Sequence, residues 1–363
     1  MKILVTGATG RIGANLVIRL LNRGYSIRSF VYPADASRAR KLDAYEGVET
    51  VYGDLRNYDD VRQAVAGVDA IYHLAAAFQG PFSAREYLDI NAMGTLNILE
   101  CIREDLPNLA RFVYASTEGV YWDARVNGRY FKEPISEDMV GNYPDMSYLM
   151  TKWLGEELAM VYHYQYGVPT CVMRFSTVIE PSEFLNGAGL PRLFLYSTAC
   201  KTYRNSESHE LKDSRSPGDP SVREMIDALL SGWDGQEKLL VSLNPNGVPY
   251  RQHFGDVRDI ADGLALAIDK DAAVGEIFNL AGAAIFDWGE IAPILAERYN
   301  LTVAEARVPF HNYFELDLSK IKSKLGFQPR HDFASILSTA EALRRGEAAD
   351  VIPTGVIFGE SGS

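Results

Sequence analysis

Lys2-Ile-Leu-Val-Thr6 is an apolar run of strand length that passes straight into a turn with glycine at every third position, Thr6-Gly-Ala-Thr-Gly-Arg-Ile-Gly13, and then into a segment of helix period. A strand that feeds a helix through so short a turn reaches its next parallel neighbour by a crossover, and such crossovers are right-handed in nearly all proteins. The rhythm repeats. Strand-length apolar runs at 26–31, 69–75, 111–116 and 169–175, with a shorter one at Glu49-Thr-Val-Tyr52, alternate with helix-period segments near 11–23, 58–66, 84–104 and 146–166. This alternation predicts an α/β fold: a doubly wound parallel sheet (Rossmann) covered on both faces.

After Arg174 the rhythm breaks at Pro181, at the loop-like Asn186-Gly-Ala-Gly189 and in the polar segment Lys201 to Asp219. Strand and helix signals resume from His253 to Asp269, and Gly275-Glu-Ile-Phe-Asn-Leu-Ala281 reads as a strand returning to the main sheet. The expected organisation is a nucleotide-binding domain over 1–175 with 251–285 returning to it. A smaller, interleaved C-terminal cap on the substrate would come from 176–250 and 286–345, followed by a tail, 346–363, without clear periodicity.

Gly7, Gly10 and Gly13 stand between the first strand and the first helix, where small residues let backbone N–H groups and a helix N-terminus approach a pyrophosphate. A plain tight turn is the bland alternative. Downstream lies Tyr148-Leu-Met-Thr-Lys152, whose ends share a helix face four residues apart. A Lys152 ammonium beside the Tyr148 phenol would favour the phenolate, bringing a pKa of about 10 toward neutrality. Such a tyrosine takes or gives a proton while a hydride moves. In isolation the pair is more often a packed aromatic and a solvated lysine, but here it follows a nucleotide loop and a strand, Arg111-Phe-Val-Tyr-Ala-Ser-Thr117, that ends in hydroxyls.

With Gly53-Asp54-Leu55 after the third strand and Tyr72-His-Leu-Ala-Ala76 ending the fourth, the chain resembles the extended short-chain dehydrogenase/reductase family, also called NAD-dependent epimerases/dehydratases. The resemblance is good over 1–175 and weaker over 251–285 and Asp317 to Pro329. It implies a catalytic set of Thr117, Tyr148 and Lys152, with Ser116 the neighbour that could substitute for Thr117. It implies a cofactor path over Gly7, Gly10, Arg11, Ile12, Gly13, Asp54, Leu55, Leu74, Ala75, Ala76, Asn91 and Lys152, with Asp54 on the adenine and Lys152 on the nicotinamide ribose. On the substrate side it points to Ala77, Glu118, Thr177 and Arg251, the last as a clamp on a diphosphate; Arg192 is a weaker candidate of the same kind. Relatives that dehydrate nucleotide sugars carry two acids after the threonine, whereas Glu118 is followed by Gly119.

NAD-preferring relatives end the second strand with an acid, but this one ends Phe30-Val31-Tyr32-Pro33. Arg28, Arg38 and Arg40 lie close enough in sequence to meet a 2′-phosphate, so the cofactor reading is NAD or NADP with a lean to NADP. The expected activity is oxidation and reduction of a secondary alcohol/ketone on a sugar or sugar nucleotide, as an epimerase that retains its cofactor. The alternative is a dehydrogenase or ketoreductase of a smaller, carbohydrate-like substrate that releases the cofactor each turn; a non-catalytic NAD(P)-binding protein is a third reading from another class.

Composition narrows the partners. A net charge of −12 and pI near 5.1 over 363 residues disfavour nucleic acid and anionic membrane surfaces. No apolar run is long enough to span a bilayer, and no signal segment precedes the first strand, so cytoplasmic location is expected. Cys101, Cys171 and Cys200 are far apart, and six histidines show no ligand spacing, so no disulfide framework and no metal is expected. The segments 84–104 and 146–166 carry apolar stripes suited to a four-helix homodimer interface.

Overall fold

The computed structural model describes residues 1–78, 80–122, 128–141, 144, 146–206, 220–309 and 311–354. Part of the polar segment Lys201 to Asp219, and the tail beyond Thr354, therefore lie outside the described residues.

Seven parallel strands form the main sheet: β1 (Lys2–Thr6), β2 (Ser26–Val31), β3 (Val48–Tyr52), β4 (Ala70–His73), β5 (Arg111–Thr117), β7 (Thr170–Phe175) and β11 (Glu276–Leu280), with β6 (Gly128–Tyr130) belonging elsewhere. Their order, β11-β7-β5-β4-β1-β2-β3, reverses at β1/β4, the switch point at which doubly wound sheets bind ligands. As the sequence predicted, 275–281 returns to this sheet, pairing with β7 from Glu276↔Cys171 to Leu280↔Phe175. Strands covered on both faces must be apolar throughout, and β5 and β7 are buried along almost their whole length.

Helices Arg11–Leu21, Tyr58–Val65, Gly94–Asp105, Ser147–Tyr166 and Val257–Asp269 supply the layers. Asn57 caps the second through the amides of Asp59 and Asp60, and Gly167 at φ 72° ends Ser147–Tyr166 in the left-handed conformation. The predicted helix 84–104 is instead a helical turn Ala84–Tyr87, a π-helical stretch Leu88–Met93 and then Gly94–Asp105.

A second sheet has the order β12-β10-β14-β6, built from β10 (Arg251–Asp256), β12 (Ala284–Asp287), β14 (His311–Phe314) and β6, with β8 (Thr177–Ile179) also paired to β10. A small pair, β9 (Leu239–Leu243) with β13 (Val303–Arg307), completes the strands. Because β8 follows β7 after a single residue, the second sheet begins where a main-sheet strand ends, directly beside the C-terminal end of β5.

Candidate active site

The turn after β1 is shaped by what its glycines exclude. Gly7 adopts φ 71°, and a Cβ there would lie 2.8 Å from the Ala75 amide nitrogen. At Gly13 a Cβ would lie 2.1 Å from the Gly7 carbonyl oxygen, so its absence lets the first helix press onto the turn. Gly10, the N-cap residue, donates its N–H to Gly7 O at 3.0 Å and offers no side-chain cap, leaving the helix N-terminal amides open toward a cavity of about 630 Å³. Gly7, Gly10, Arg11, Asp54, Leu55, Leu74, Ala75, Ala76 and Ala77 line that cavity, whereas Ile12, Gly13, Asn91 and Lys152 do not.

Arg56 grips Asp54 in a bidentate pair and holds its carboxylate below the usual range. The arginines differ in position. Arg28 donates to the carbonyls of Ala64 and Ala66 and pairs with Glu49, turned away from the cavity, and Arg40 is exposed outside its lining. Arg38 does line it, paired with Asp35 at 3.3 Å, as do Arg56 and Tyr32, two residues that the sequence reading did not single out.

Asn91 departs from expectation. Buried in the π-helical stretch, it accepts from Ala77 N at 2.7 Å and donates to Ala77 O and Thr151 Oγ1. With those bonds made it does not reach the cavity; it ties the loop after β4 to the helix Ser147–Tyr166.

Hydroxyls end β5, and their surroundings separate them. Ser116 is buried and donates to Glu156 at 2.7 Å, within a cluster where Arg174 also pairs with Glu156. Thr117 Oγ1 accepts the Gly119 N–H at 3.1 Å, which leaves its own proton to donate. A Cβ at Gly119 would lie 2.2 Å from Leu149 Cδ2, so a side chain there would require Leu149 to move aside.

Tyr148 packs against Phe78, which lines the cavity, with ring centroids 5.0 Å apart, and edge-on to Tyr87 at 6.4 Å. Burial raises its phenol pKa, and Glu118 and then Tyr87 add to the rise. Lys152 is 3% exposed, with its ammonium 4.3 Å from the centroid of Tyr114. Burial pushes it down to about 7, opposed by Glu156 one helical turn on. For both groups burial is the largest influence, and the Lys152 ammonium lies over the Tyr114 ring. Gly155 permits this, since a Cβ there would lie 2.1 Å from Tyr114 Oη, which donates to Lys152 O.

On the second sheet, Thr177 donates to Glu118 at 2.9 Å, Gln252 Nε2 to Thr177 at 2.7 Å and Asn312 Nδ2 to Gln252 Oε1 at 3.0 Å. Strand side chains alternate in direction, so Arg251 faces the other way, pairing with Glu315 and lying over the Tyr313 ring. Arg251 is thus not brought to Thr177 and Glu118. Its neighbour Gln252 is, with Asn312. Phe78 and Tyr87 were also missed, having no periodic signature. Among the described residues no group of three His, Cys, Asp or Glu is placed to hold a metal ion.

The model of the NAD-dependent epimerase/dehydratase family matches residues 3–281. Similar curated proteins include 3-beta-hydroxysteroid dehydrogenase of Mycolicibacterium neoaurum, 33% identical over 186 residues (49% of this chain, 47% of that protein). Another is UDP-glucuronate 4-epimerase 1 of Arabidopsis thaliana, 32% identical over 195 residues (50% and 43%). The chain spans about half the length of these two relatives. A solved short-chain dehydrogenase/reductase superfamily protein from Agrobacterium tumefaciens, with bound NAD, superposes with a TM-score of 0.78 at 27% identity, covering 95% of this chain and 98% of that one. With a family match over most of its length and this fold, the chain belongs to the NAD-dependent epimerase/dehydratase family.

Proposed function

We propose that this chain is an NAD(P)-dependent oxidoreductase that acts on a secondary alcohol/ketone of a sugar or sugar nucleotide through Thr117, Tyr148 and Lys152. One observation carries the reading: Thr117 keeps a donatable proton at the end of β5, while Tyr148 packs at a tilt against Phe78, a residue of the glycine-turn cavity wall. The cavity suits a dinucleotide, since a Cβ at Gly7 would intrude on its wall and the helix N-terminus faces it uncapped. When bound, the nicotinamide supplies hydride transfer.

The chain's own groups do the rest. Thr117 donates to the reacting oxygen and Tyr148 exchanges its proton, while Lys152 would hold the nicotinamide ribose. Glu118, held by Thr177, would orient substrate hydroxyls. The second sheet and its helices act as the substrate cap. The lean to NADP rests on Arg38 and Arg56, and direct titration of NAD and NADP tests it; tighter binding of NAD removes it.

A second reading has its own observation. Arg251 is engaged by Glu315 and Arg174 by Glu156, while Thr177, Gln252 and Asn312 form a hydrogen-bonded row of one hydroxyl and two planar amides that ends on Glu118. This favours a smaller, carbohydrate-like substrate without a diphosphate, handled by a dehydrogenase or ketoreductase. Incubation with sugar nucleotides and free sugar derivatives separates the two: turnover without net change in nicotinamide absorbance supports the epimerase, and stoichiometric change supports the dehydrogenase. No turnover of any secondary alcohol or ketone in the panel with either cofactor refutes both.

Among the described residues no helix is long and apolar enough to cross a membrane. Met93, Val161 and Tyr164 are exposed on the two segments expected to pair in a dimer; sedimentation at micromolar concentration tests that assembly.

A further inference from the structure

The segment after the last helix, Phe333–Arg344, runs back across the first helix of the nucleotide domain. Arg19 holds Asp350 through two hydrogen bonds of 2.9 and 2.7 Å. Asn15, buried on the same helix face one turn earlier, pairs with the backbone of Ile352 in both directions, accepting its N–H at 2.8 Å and donating to its carbonyl at 3.2 Å. Val351 and Ile352 pack on the main core.

Two residues on, Thr354 joins the wall of the cavity that Thr9, Gly10 and Arg11 also line. Its N–H donates to Glu180 at 3.3 Å, and its carbonyl accepts from Lys41 at 3.5 Å. Its hydroxyl is different. Thr354 is only 9% exposed, yet Oγ1 has no hydrogen-bond partner among the described residues. A buried hydroxyl left unpaired is destabilising, so its presence beside the glycine turn calls for an acceptor that arrives with a ligand.

Charges of both signs meet behind Thr354: Arg11 pairs with Glu183, Arg38 with Asp35, and Lys41 and Glu180 hold the Thr354 backbone. The side of the cavity that Gly10 and Arg11 line is the uncapped N-terminus of the first helix, which favours an anion with acceptor oxygens over a neutral group.

We propose that residues 350–354 are a working part of the dinucleotide site, with the Thr354 hydroxyl donating to an oxygen of the cofactor phosphates. Asn15, Arg19 and Lys41 are positioning residues that hold the arm in place. The proposal rests on the dinucleotide reading above and adds to it an element distant in sequence from the glycine turn. It also makes Glu180, next to β8 in the substrate-side sheet, a direct neighbour of the cofactor wall.

The test is direct titration of NAD and NADP into the full chain, followed by calorimetry or by nicotinamide fluorescence of the reduced forms, for wild type, Thr354→Val, Thr354→Ser and Asn15→Ala. Thr354→Val keeps the shape and removes the donor, so the dissociation constant for the preferred dinucleotide should rise roughly tenfold, the scale of a hydrogen bond to a charged acceptor. Thr354→Ser should restore binding to near the wild-type value, and Asn15→Ala should weaken it by freeing the arm. The melting temperature of ligand-free Thr354→Val should stay close to wild type. Equal affinity of wild type and Thr354→Val overturns the proposal while leaving the oxidoreductase reading intact. A wild-type chain that binds neither dinucleotide overturns both.

Discussion

Lys152 offers a test in which stability and catalysis move in opposite directions. Its ammonium is buried over Tyr114 and its pKa is pushed from 10.5 to about 7 in the ligand-free chain. A lysine depressed in the folded state takes up a proton on unfolding at any pH between those values, so the native state loses stability as pH falls from 10.5 to 7. The gap of about 3.5 pH units, at ~1.4 kcal/mol each, amounts to about 5 kcal/mol, of which roughly 4 is expressed at pH 7, where the native-state lysine is half protonated. Lys152→Met keeps the aliphatic length and removes the charge; imperfect packing of the thioether takes back roughly 1 kcal/mol. The variant should therefore be about 2–4 kcal/mol more stable than wild type at pH 7, with the advantage shrinking toward zero by pH 10.5. It should also turn over far more slowly and bind cofactor more weakly. Urea unfolding of both proteins at pH 6.5, 7.5, 8.5 and 9.5, without cofactor, measures the difference, in which other titrating groups cancel. A variant less stable than wild type at pH 7, or an advantage independent of pH, would refute the argument that desolvation governs this lysine.

Tyr148→Phe should lower kcat by about 10²–10⁴-fold while leaving the cofactor dissociation constant near wild type; near-native kcat across the pH range would sink the acid/base role. Gly7→Ala places a Cβ 2.8 Å from the Ala75 amide at φ 71° and should destabilise the fold by roughly 2–5 kcal/mol and weaken dinucleotide binding, read by urea unfolding and titration. Gln252→Ala should raise KM on the substrate that the panel identifies while Arg251→Ala leaves KM nearly unchanged, since the two side chains face opposite sides of β10; the reverse pattern would restore the arginine clamp. Below pH 6.5 the chain should lose stability progressively, because burial holds His73, between Thr6 and Thr95, near pKa 3; His73→Gln should flatten the acid limb of unfolding curves.

The main sheet was legible because each strand is an apolar run closed by a turn or cap, and because crossover chirality leaves few ways to order such runs. Thr117 and Gly7 were legible for the same reason: their positions follow from the ends of strands. Asn91 was misplaced because an amide that reads as a cofactor ligand is satisfied here by Ala77 and Thr151. The burial of Tyr148 and Lys152 was not legible, because helical spacing says which face two residues share, but not how dry that face is. The row Glu118, Thr177, Gln252 and Asn312 was invisible in sequence, since β8 and β14 are three- and four-residue strands whose partners lie far along the chain.

The substrate-side sheet takes its strands from five separate stretches: 128–130, 177–179, 251–256, 284–287 and 311–314. Specificity is consequently not a module that can be lifted out. A short contiguous cassette exchanged between homologues would carry only some of the five strands and leave the rest unmatched to it. On the proposed reading, a change of substrate preference would call for coordinated point changes at Thr177, Gln252 and Asn312 on a preserved backbone, and divergence by recombination at single breakpoints would be obstructed in the same way.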